Sequence, residues 1–370
     1  MKRNTLLAAL LLLSGCHRRP EPPRNLVLVT IDTLRADRLG CYGAKDVATP
    51  KLDRIAQEGA RAVRATAHVP LTRPSHTSLL TGMLPTQHGI RDNISPARLP
   101  EVPTLATVTK AAGFRTAAFV SSIVLAGGDG LERGFDLYSD EIRSEASSED
   151  LPFLNELQRP GDQTLAEAVS WIESNRDARL FAWIHLYEPH EPYEPPEPYR
   201  TRYAERPYDG EVAWSDELVG RLDQALEKLG LREDTLLVVT SDHGEGLGEH
   251  RETLHGFFVY QTTLSVPLLM RGPGVAPGTR IESLVQTVDL FPTLVEMLGL
   301  EPPSNSEVSG VSLAAALRGE PYRNEPVAYA ESLVPLMHFG WSDLRSIRRG
   351  KWKYIQAPKP ELYDLDADPM

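Results

Sequence analysis

Acidic and imidazole side chains follow two apolar stretches of this 370-residue chain, at the point where each stretch ends. Asp32 follows LVLVTI at 26–31, and the pair Asp242 and His243 follows LLVVTS at 236–241. The carboxyl ends of strands in an open α/β sheet face the crevice where ligands bind, and a carboxylate with an imidazole can hold one divalent metal. A lone Asp after a strand is often only a helix cap, but two such sites together favour a metal site.

A hydroxyl-rich segment, TRPSHTSLLTG at 72–82, has the composition of a loop that leads into an apolar helix. A helix N-terminus presents free N–H groups to an anion, and we expect such groups to bind a phosphate or sulfate ester there. The hydroxyl of Thr72 could bind a metal, lose its proton and attack such an ester. The alternative is that Thr72 or Ser75 only caps the helix, and spacing alone does not choose between the two.

The elements that must position these residues are apolar strands and amphipathic helices in alternation. The strands are predicted at 25–31, 116–120, 180–186, 235–240 and 266–270, and the helices at 50–59, 104–112, 166–174, 209–230 and 288–298. The strand segments are apolar almost throughout, which is typical of strands buried on both faces of a largely parallel sheet. The alternation of strands and helices predicts an α/β fold.

The segments between these elements are predicted to be irregular. Residues 141–150 are acidic and predict a solvent loop, while residues 188–200 are crowded with Pro and Tyr and predict a stiff loop over the sheet edge. Residues 345–355 predict a strand pair, followed by ELYDL at 361–365. We therefore expect a catalytic domain at 25–325 and a small antiparallel subdomain at 326–370, with the sequence truncated or closing early at its end.

The first residues are typical of an export signal. Lys2 and Arg3 precede a short apolar stretch that ends in LSGC at 13–16, and a polar, Pro-rich segment follows at 17–24. This pattern resembles the lipobox of bacterial lipoproteins and predicts a signal peptide at 1–16, acylation of Cys16 and a tether at 17–24, although an ordinary secretory signal with an incidental Cys is the alternative. We expect an exported cell-envelope protein on the periplasmic face of a membrane, held there through a lipid anchor only.

The charge balance of the chain excludes one class of partner. The formal net charge is −12 at pH 7, and acidic residues outnumber basic ones. Nucleic acid is therefore not expected to bind, since its recognition rests on basic groups that neutralise phosphates.

The motifs at these positions, taken together and in order, resemble the sulfatase family of the alkaline phosphatase superfamily. The matching segments are DTLRAD at 32–37, PSHTSLLTG at 74–82, GFRT at 113–116, EPHEPY at 188–193, SDHGE at 241–245, GEH at 248–250 and ELYDL at 361–365. The resemblance runs from about residue 25 to residue 370. It implies an alkaline-phosphatase-like sandwich with a largely parallel central sheet and a small antiparallel C-terminal subdomain.

The resemblance also implies roles for particular residues. One divalent metal would be held by Asp32, Thr72, Asp242 and His243. The candidate catalytic residues are Thr72, His76, His190 and His255, of which His190 and His255 would bind the anion or protonate the leaving oxygen. Arg35 and His185 are candidate substrate-binding residues, with a surface role for Arg35 and a core role for His185 as alternatives.

The mixed oxygen and nitrogen ligands favour manganese, zinc or magnesium over calcium. Whether a second metal binds near Glu188, His190 and His255 is left open by the sequence.

The sequence departs from the family at two positions that carry chemistry. Sulfatases place a Cys or Ser at position 72, which is oxidised to formylglycine, and an Arg at position 76, where this chain has Thr72 and His76. A threonine cannot become that aldehyde, so no formylglycine is expected. A cationic Gly-Lys-Trp-His segment is also replaced, by residues 119–122.

These departures favour phosphate mono- or diesters, or phosphoryl transfer, because a phospho-threonine can be attacked at phosphorus near a metal. The expected partner is a small anionic ester, a glycan or a lipid head group. A sulfate-ester hydrolase that uses Thr72 directly and an inactive anionic-glycan-binding lipoprotein are the alternatives.

Overall fold

The computed structural model describes residues 21–142, 158–304 and 307–369. Three seven-residue runs of strand-forming residues lie at its centre, and every residue in them is buried. They form β1 (Asn25–Ile31), β5 (Leu180–Leu186) and β6 (Thr235–Ser241). The strand β1 lies between the other two and pairs in parallel with both, as expected for apolar strands covered on both faces.

These strands belong to a nine-stranded sheet in the order β4-β3-β5-β1-β6-β8-β2-β7, with β9 also paired to β2. The remaining strands are β2 (Ala60–Thr66), β3 (Arg115–Phe119), β4 (Leu137–Ser139), β7 (Ser265–Val266), β8 (Leu268–Arg271) and β9 (Thr279–Gln286). The half from β4 to β6 is parallel, whereas β8 runs antiparallel to β6 and to β2. The predicted α/β fold with a largely parallel sheet is confirmed.

Helices cover both faces of this sheet. The α-helices are α1 (Pro50–Glu58), α2 (Thr72–Thr81), α3 (Pro85–His88), α4 (Leu105–Ala111), α5 (Gly161–Ser174), α6 (Tyr199–Arg202), α7 (Pro207–Lys228), α8 (Gln261–Leu264), α9 (Leu290–Met297), α10 (Ala314–Leu317) and α11 (Val334–Phe339). Short 3-10 turns lie at Ala36–Arg38, Gly40–Tyr42, Ile123–Leu125, Arg232–Asp234, Glu249–Arg251 and Thr287–Asp289. Among the described residues, no helix combines the length and the apolar character that crossing a membrane requires.

Alternate residues of each central strand enter two separate hydrophobic cores. Leu26 and Leu28 of β1 pack in the core under α2, α4 and α9, and Val27 and Val29 pack in the core under α1, α5 and α7. Because successive side chains of a strand point to opposite faces, a strand buried on both faces needs an unbroken apolar sequence. This is why the apolar runs in the sequence do not alternate.

A second, four-stranded antiparallel sheet follows in the chain. Its strands, in order, are β10 (Val327–Ser332), β11 (Leu344–Arg349), β12 (Trp352–Gln356) and β13 (Glu361–Asp364). In β11 the residues alternate between buried and exposed, as expected for a sheet with one face packed and one face in solvent. The predicted strand pair at 345–355 is confirmed as β11 and β12.

Three sequence predictions differ from the structure by more than a shift of one or two residues. The helix predicted at 166–174 begins earlier, at Gly161. The single strand predicted at 266–270 is divided into β7 and β8, because Pro267 lies between them and has no N–H for the ladder. The loop predicted at 188–200 ends where the short helix α6 begins, at Tyr199. Most of the solvent loop predicted at 141–150 lies outside the described residues.

Candidate metal centre

The strand register places two acidic residues side by side. In the β1–β6 pair, Ile31 lies opposite Ser241, so the next residues, Asp32 and Asp242, leave the sheet at the same edge. Both carboxylates and the imidazole of His243 are fully buried. The backbone of Thr33 adopts a left-handed conformation with φ of 54°, and its N–H donates to Oδ1 of Asp242 over 3.3 Å. The turn after β1 is thereby fixed to the turn after β6.

Thr72 is the first residue of α2, and its side chain lies beside these carboxylates and the imidazole. Its Oγ1 lies 3.5 Å from Oδ2 of Asp32 and 3.5 Å from Nε2 of His243. The helix is preceded by Leu71, and no side chain caps it. Ser75, one turn further along, donates its hydroxyl to the carbonyl oxygen of Asp242 over 2.5 Å. Thr72 therefore faces the carboxylates, and neither hydroxyl serves as the helix cap.

The first turn of α2 offers fewer N–H groups to an anion than the sequence predicts. The N–H of Arg73 donates to Oδ1 of Asn93 over 2.9 Å, Pro74 has no N–H, and the N–H of Ser75 donates to the carbonyl of Leu71 over 3.1 Å. The expectation of several free donors at this helix end is wrong. An anion bound here would depend on the surrounding imidazoles and on a cation.

The donor set fits a divalent cation. Within the described part of the chain, Oδ1 of Asp32 and Oδ2 of Asp242 are buried and have no hydrogen-bond partner. Nδ1 of His243 lies 2.9 Å from the carbonyl oxygen of Gly244, so it carries the proton and leaves the lone pair of Nε2 for a metal. One ligand atom from each of Asp32, Asp242 and His243 lies within 4.8 Å of the others. These residues, with Thr72, would hold the ion.

A second group of potential ligands, His76, His185 and Asp242, lies within the same distance limits. However, Nδ1 of His76 lies 2.7 Å from the carbonyl oxygen of Thr72 and must donate its proton there. Nδ1 of His185 accepts from the N–H of Ser121 over 3.4 Å, so Nε2 carries a proton, 3.5 Å from Oδ2 of Asp32. Both facing nitrogens are therefore donors, and the group containing His243 is the better metal site.

Two buried carboxylates so close together perturb each other. Burial alone would raise the pKa of Asp32, but the surrounding imidazoles of His185, His190 and His243 outweigh burial and hold it below its ordinary value. Burial and the charge of Asp32 raise the pKa of Asp242 to about 7. Burial would lower the pKa of His243, and the carboxylates of Asp242 and Asp32 raise it instead. A bound divalent cation would stabilise both carboxylates in the charged form.

Two further imidazoles form one wall of the site. The ring of His255 lies 4.4 Å from that of His243 and 5.0 Å from that of His190, measured between ring centroids. Nδ1 of His255 lies 3.0 Å from Oε1 of the buried Glu245, and Tyr193 donates to the other oxygen of that carboxylate over 3.0 Å. This arrangement orients Nε2 of His255 as the ring nitrogen for a substrate.

Arg35 is not brought to this group. Its guanidinium is buried and pairs with Asp37 over 2.8 Å and with Glu249 over 2.9 Å, and it also donates to the carbonyl oxygen of Glu245 over 3.1 Å. The substrate clamp expected at Arg35 is not formed by these contacts, because the acidic partners hold the guanidinium in an internal ion-pair network. One oxygen of the Glu188 carboxylate accepts from the N–H of Gly161 over 2.8 Å, which ties this residue to the start of α5.

Sequence reasoning missed the residues that orient His76. Trp183 donates its indole N–H to Oγ1 of Thr30 over 3.0 Å, and Thr30 lies 2.9 Å from Nε2 of His76. All three side chains are fully buried. Since Oγ1 of Thr30 accepts from the indole, its own proton goes to Nε2 of His76, and this fixes the tautomer that donates to Thr72. The only signal in the sequence is a polar residue within an apolar strand.

Comparisons with known proteins identify the family of the chain. The sulfatase family profile matches residues 24–300, and the profile of the C-terminal region of N-sulphoglucosamine sulphohydrolase matches residues 248–370. The chain belongs to the sulfatase family of hydrolases.

Among its relatives, the Delta 4,5-hexuronate-2-O-sulfatase of Bacteroides thetaiotaomicron is 23% identical over 97% of this chain and 86% of its own length. The choline-sulfatase of Rhizobium meliloti is 26% identical over 94% of this chain and 81% of its own length.

A similar solved structure is the phosphonate monoester hydrolase of Agrobacterium radiobacter. It superposes with a TM-score of 0.78 at 24% identity, covering 94% of this chain and 90% of that one. At this level of identity the superposition establishes the shared fold. The likeness therefore agrees with the sandwich architecture expected from the sequence.

Proposed function

We propose that this chain is a metal-dependent hydrolase of anionic esters with Thr72 as its nucleophile, and that it favours phosphate mono- or diesters over sulfate esters. The observation that carries the proposal is the position of Oγ1 of Thr72, 3.5 Å from both a carboxylate oxygen of Asp32 and Nε2 of His243. A hydroxyl that only caps a helix bonds to the backbone of that helix. A nucleophilic hydroxyl must be deprotonated and aligned, and a neighbouring carboxylate and imidazole serve both purposes.

Some residues of the site would bind a cation, and others would contact the ester. Asp32, Thr72, Asp242 and His243 would hold a divalent cation, which would supply Lewis acidity that favours ionisation of the Thr72 hydroxyl and offsets charge on the ester oxygens. Nε2 of His185, which carries a proton, faces the same space and can donate to an ester oxygen.

The first step begins after the Thr72 hydroxyl has lost its proton to water. The ionised Oγ1 then forms a bond to phosphorus while the bond from phosphorus to the alcohol oxygen breaks. The departing alcohol oxygen takes up one proton, and His190 and His255 are the candidate donors.

Water completes the reaction in a second step. It attacks phosphorus, the bond between phosphorus and Oγ1 of Thr72 breaks, and Oγ1 leaves in the ionised form in which it began the first step. Nε2 of His255 is suited to accept the proton of this water, because Glu245 holds Nδ1 of the same ring.

Two considerations favour phosphorus over sulfur as the reacting centre. Thr72 cannot become formylglycine, and a sulfate on a threonine has no neighbouring hydroxyl to expel it. A phospho-threonine, in contrast, can be attacked directly by water. The relatives include enzymes named for sulfate esters, such as the choline-sulfatase, and a structural neighbour named for phosphonate monoesters, so either acid is compatible with the family.

A matched set of substrates tests the proposal. One aryl alcohol is offered as its sulfate, its phosphate monoester and its phosphodiester, and kcat/KM is measured for each with manganese, zinc or magnesium present. We expect a phosphate ester to be the best substrate, and a slow one to add a phosphoryl mass to the peptide containing Thr72. Faster cleavage of the sulfate without a labelled threonine would favour a sulfate-ester hydrolase. An absence of both metal and turnover would favour the inactive binding protein.

We further propose that the protein is exported and held at a membrane by a lipid on Cys16. The support is the LSGC pattern at 13–16 and the polar segment that follows it. Cys16 lies outside the described residues. A glycan or a lipid head group would then be a natural source of the anionic ester, and the name of the hexuronate sulfatase points to a glycan for that relative.

A further inference from the structure

A group of large apolar side chains is exposed on and beside α11. Leu336 is 46% exposed, Met337 50%, Phe339 51% and Trp341 61%. Phe257, half-buried, joins them from another part of the chain, with its ring 5.3 Å from that of Phe339 and 6.4 Å from that of Trp341. We call these five residues the aromatic shelf. Contiguous apolar surface of this kind marks a binding site more often than single exposed residues do.

Phe257 connects the aromatic shelf to the metal centre along the chain. Phe257 is only two residues beyond His255, whose ring packs on that of His243. The intervening Gly256 has a left-handed φ of 104°, and an added Cβ there would lie 3.4 Å from the side chain of Leu71. Leu71 directly precedes the nucleophile position. One short turn therefore carries the chain from His255, past the residue that precedes Thr72, to Phe257 of the shelf.

Two contacts hold α11 in this place. The hydroxyl of Ser332, just before the helix, donates to the carbonyl oxygen of Gly256. His338, within the helix, lies 2.6 Å from the carboxylate of Asp92. The neighbouring Asn93 accepts from the N–H of Arg73, the residue after Thr72, over 2.9 Å. The shelf is thus fixed relative to Thr72 from two directions.

The chemistry of the shelf indicates what it binds. Of its five side chains, only Trp341 carries a hydrogen-bond donor, through its indole N–H. The shelf therefore offers apolar contact area and almost no hydrogen bonds, which suits an aryl ring or an alkyl chain, because burying their apolar surface is favourable in itself. We infer that the aromatic shelf binds an apolar alcohol portion of the ester, while the anionic portion lies at the metal centre. This inference rests on the proposed function.

Substrate selectivity tests the inference. The naphthyl, octyl and methyl esters of the same acid are compared in wild type, Trp341→Ala and Phe339→Ala. We expect the ratio of kcat/KM for the naphthyl or octyl ester to that for the methyl ester to fall at least about tenfold in both variants. Trp352→Ala is the matched control, because Trp352 is 50% exposed but lies on β12, apart from the shelf. It should keep the wild-type ratio.

A binding measurement separates this inference from the proposed function. The alcohol product, naphthol, is titrated by calorimetry into wild type and into Trp341→Ala, so that no turnover occurs whichever group is the nucleophile. Weaker binding in Trp341→Ala supports the shelf even if Thr72 proves not to be the nucleophile.

Equal binding, or equal losses for all three esters, would overturn the inference. It would also be overturned if Trp341→Ala instead released the protein from neutral phosphatidylcholine vesicles or dissociated a dimer. The shelf would then be a membrane or self-association surface.

Discussion

Oγ1 of Thr72 lies 3.5 Å from Nε2 of His243, although the two residues are 171 positions apart in the chain. The first turn of α2 and the end of β6 meet here because β6 is a central strand, and its carboxyl end opens towards the helix. The tautomer of His243 leaves the lone pair of Nε2 pointing into this gap, since Nδ1 donates to Gly244. The gap is thus lined by a hydroxyl, a carboxylate and an imidazole that are all free to bind a cation.

The first prediction concerns the nucleophile. Thr72→Ala removes one hydroxyl from the site, so turnover should fall at least about a thousandfold, as when a covalent nucleophile is lost. Thr72→Ser retains the hydroxyl and should recover a large part of kcat. Thr81→Ala is the control, because the Thr81 hydroxyl is equally buried in α2 but bonds only to the backbone. Retention of more than a tenth of the activity in Thr72→Ala would show that another group attacks.

The second prediction concerns the metal. Asp242→Asn and His243→Ala each remove a ligand, so bound metal, measured by mass spectrometry on the purified protein, should fall more than about tenfold along with the rate. Asp289→Asn is the control. Asp289 is also fully buried, but the N–H groups of Gln286 and Val311 occupy its two oxygens, each over 2.8 Å. If a variant kept all of its bound metal and lost its activity, Asp242 and His243 would be acid–base residues and not metal ligands.

The third prediction separates orientation from ligation at His76. His76→Phe removes the N–H that donates to the carbonyl of Thr72, and kcat should fall about 10- to 100-fold while bound metal stays at the wild-type level. His76→Asn places an N–H near the position of Nδ1 and should restore part of kcat, with little change in KM. Loss of metal from His76→Phe would show instead that His76 is a ligand, in the alternative group with His185 and Asp242.

Much of the fold follows from the sequence because its central strands are buried on both faces. An unbroken apolar run such as that of β1 has few other interpretations. In contrast, β2 has the sequence ARAVRAT, with arginines that reach partly into solvent, and it was not predicted. Its place in the sheet depends on pairing with β7, β8 and β9, which come some 200 residues later. Local sequence carries no signal of such partners.

The same limit applies to the site. Asp32, Asp242 and His243 could be placed together because both strand ends were recognised. The role of Arg35 could not be predicted in this way, because its partner Glu249 is 214 residues away and fixes where the guanidinium points. The orientation of His76 depends on Thr30 and Trp183, two residues inside strands that resemble ordinary core positions. Ligands at strand ends were predictable, and the hydrogen bonds that orient them were not.

The fourth prediction concerns localisation. Cys16→Ser removes the thiol that a lipid would modify, and the apolar stretch before it is too short to cross a bilayer. The variant should move from the membrane fraction to the soluble fraction after signal cleavage. Fractionation with immunodetection, beside a Cys41→Ser control that keeps Cys16, provides the measurement. A cleaved variant that stays in the membrane fraction would exclude the lipid anchor.

The last prediction concerns stability in the C-terminal sheet, where Lys353 of β12 is almost completely buried. Its Nζ donates to Oε1 of Gln261 over 2.8 Å, and Arg348 lies opposite it on β11. Burial, with a smaller contribution from the charge of Arg348, lowers the pKa of Lys353 well below its ordinary value. The folded protein therefore binds fewer protons at this site than the unfolded chain, and stability is lost as the pH falls from about 10.4 towards the folded-state pKa.

Lys353→Met removes this proton uptake and nearly preserves the volume of the side chain. As the pH is lowered from 9 to 7, the free energy of unfolding of the variant should therefore rise relative to that of wild type, by up to about 1.4 kcal/mol per pH unit. Urea unfolding at several pH values measures the difference. Lys359→Met, at an exposed position, controls for the loss of one positive charge and should run parallel to wild type. A constant difference between Lys353→Met and wild type across this range would mean that Lys353 stays charged when folded, with Gln261 and water solvating its ammonium group.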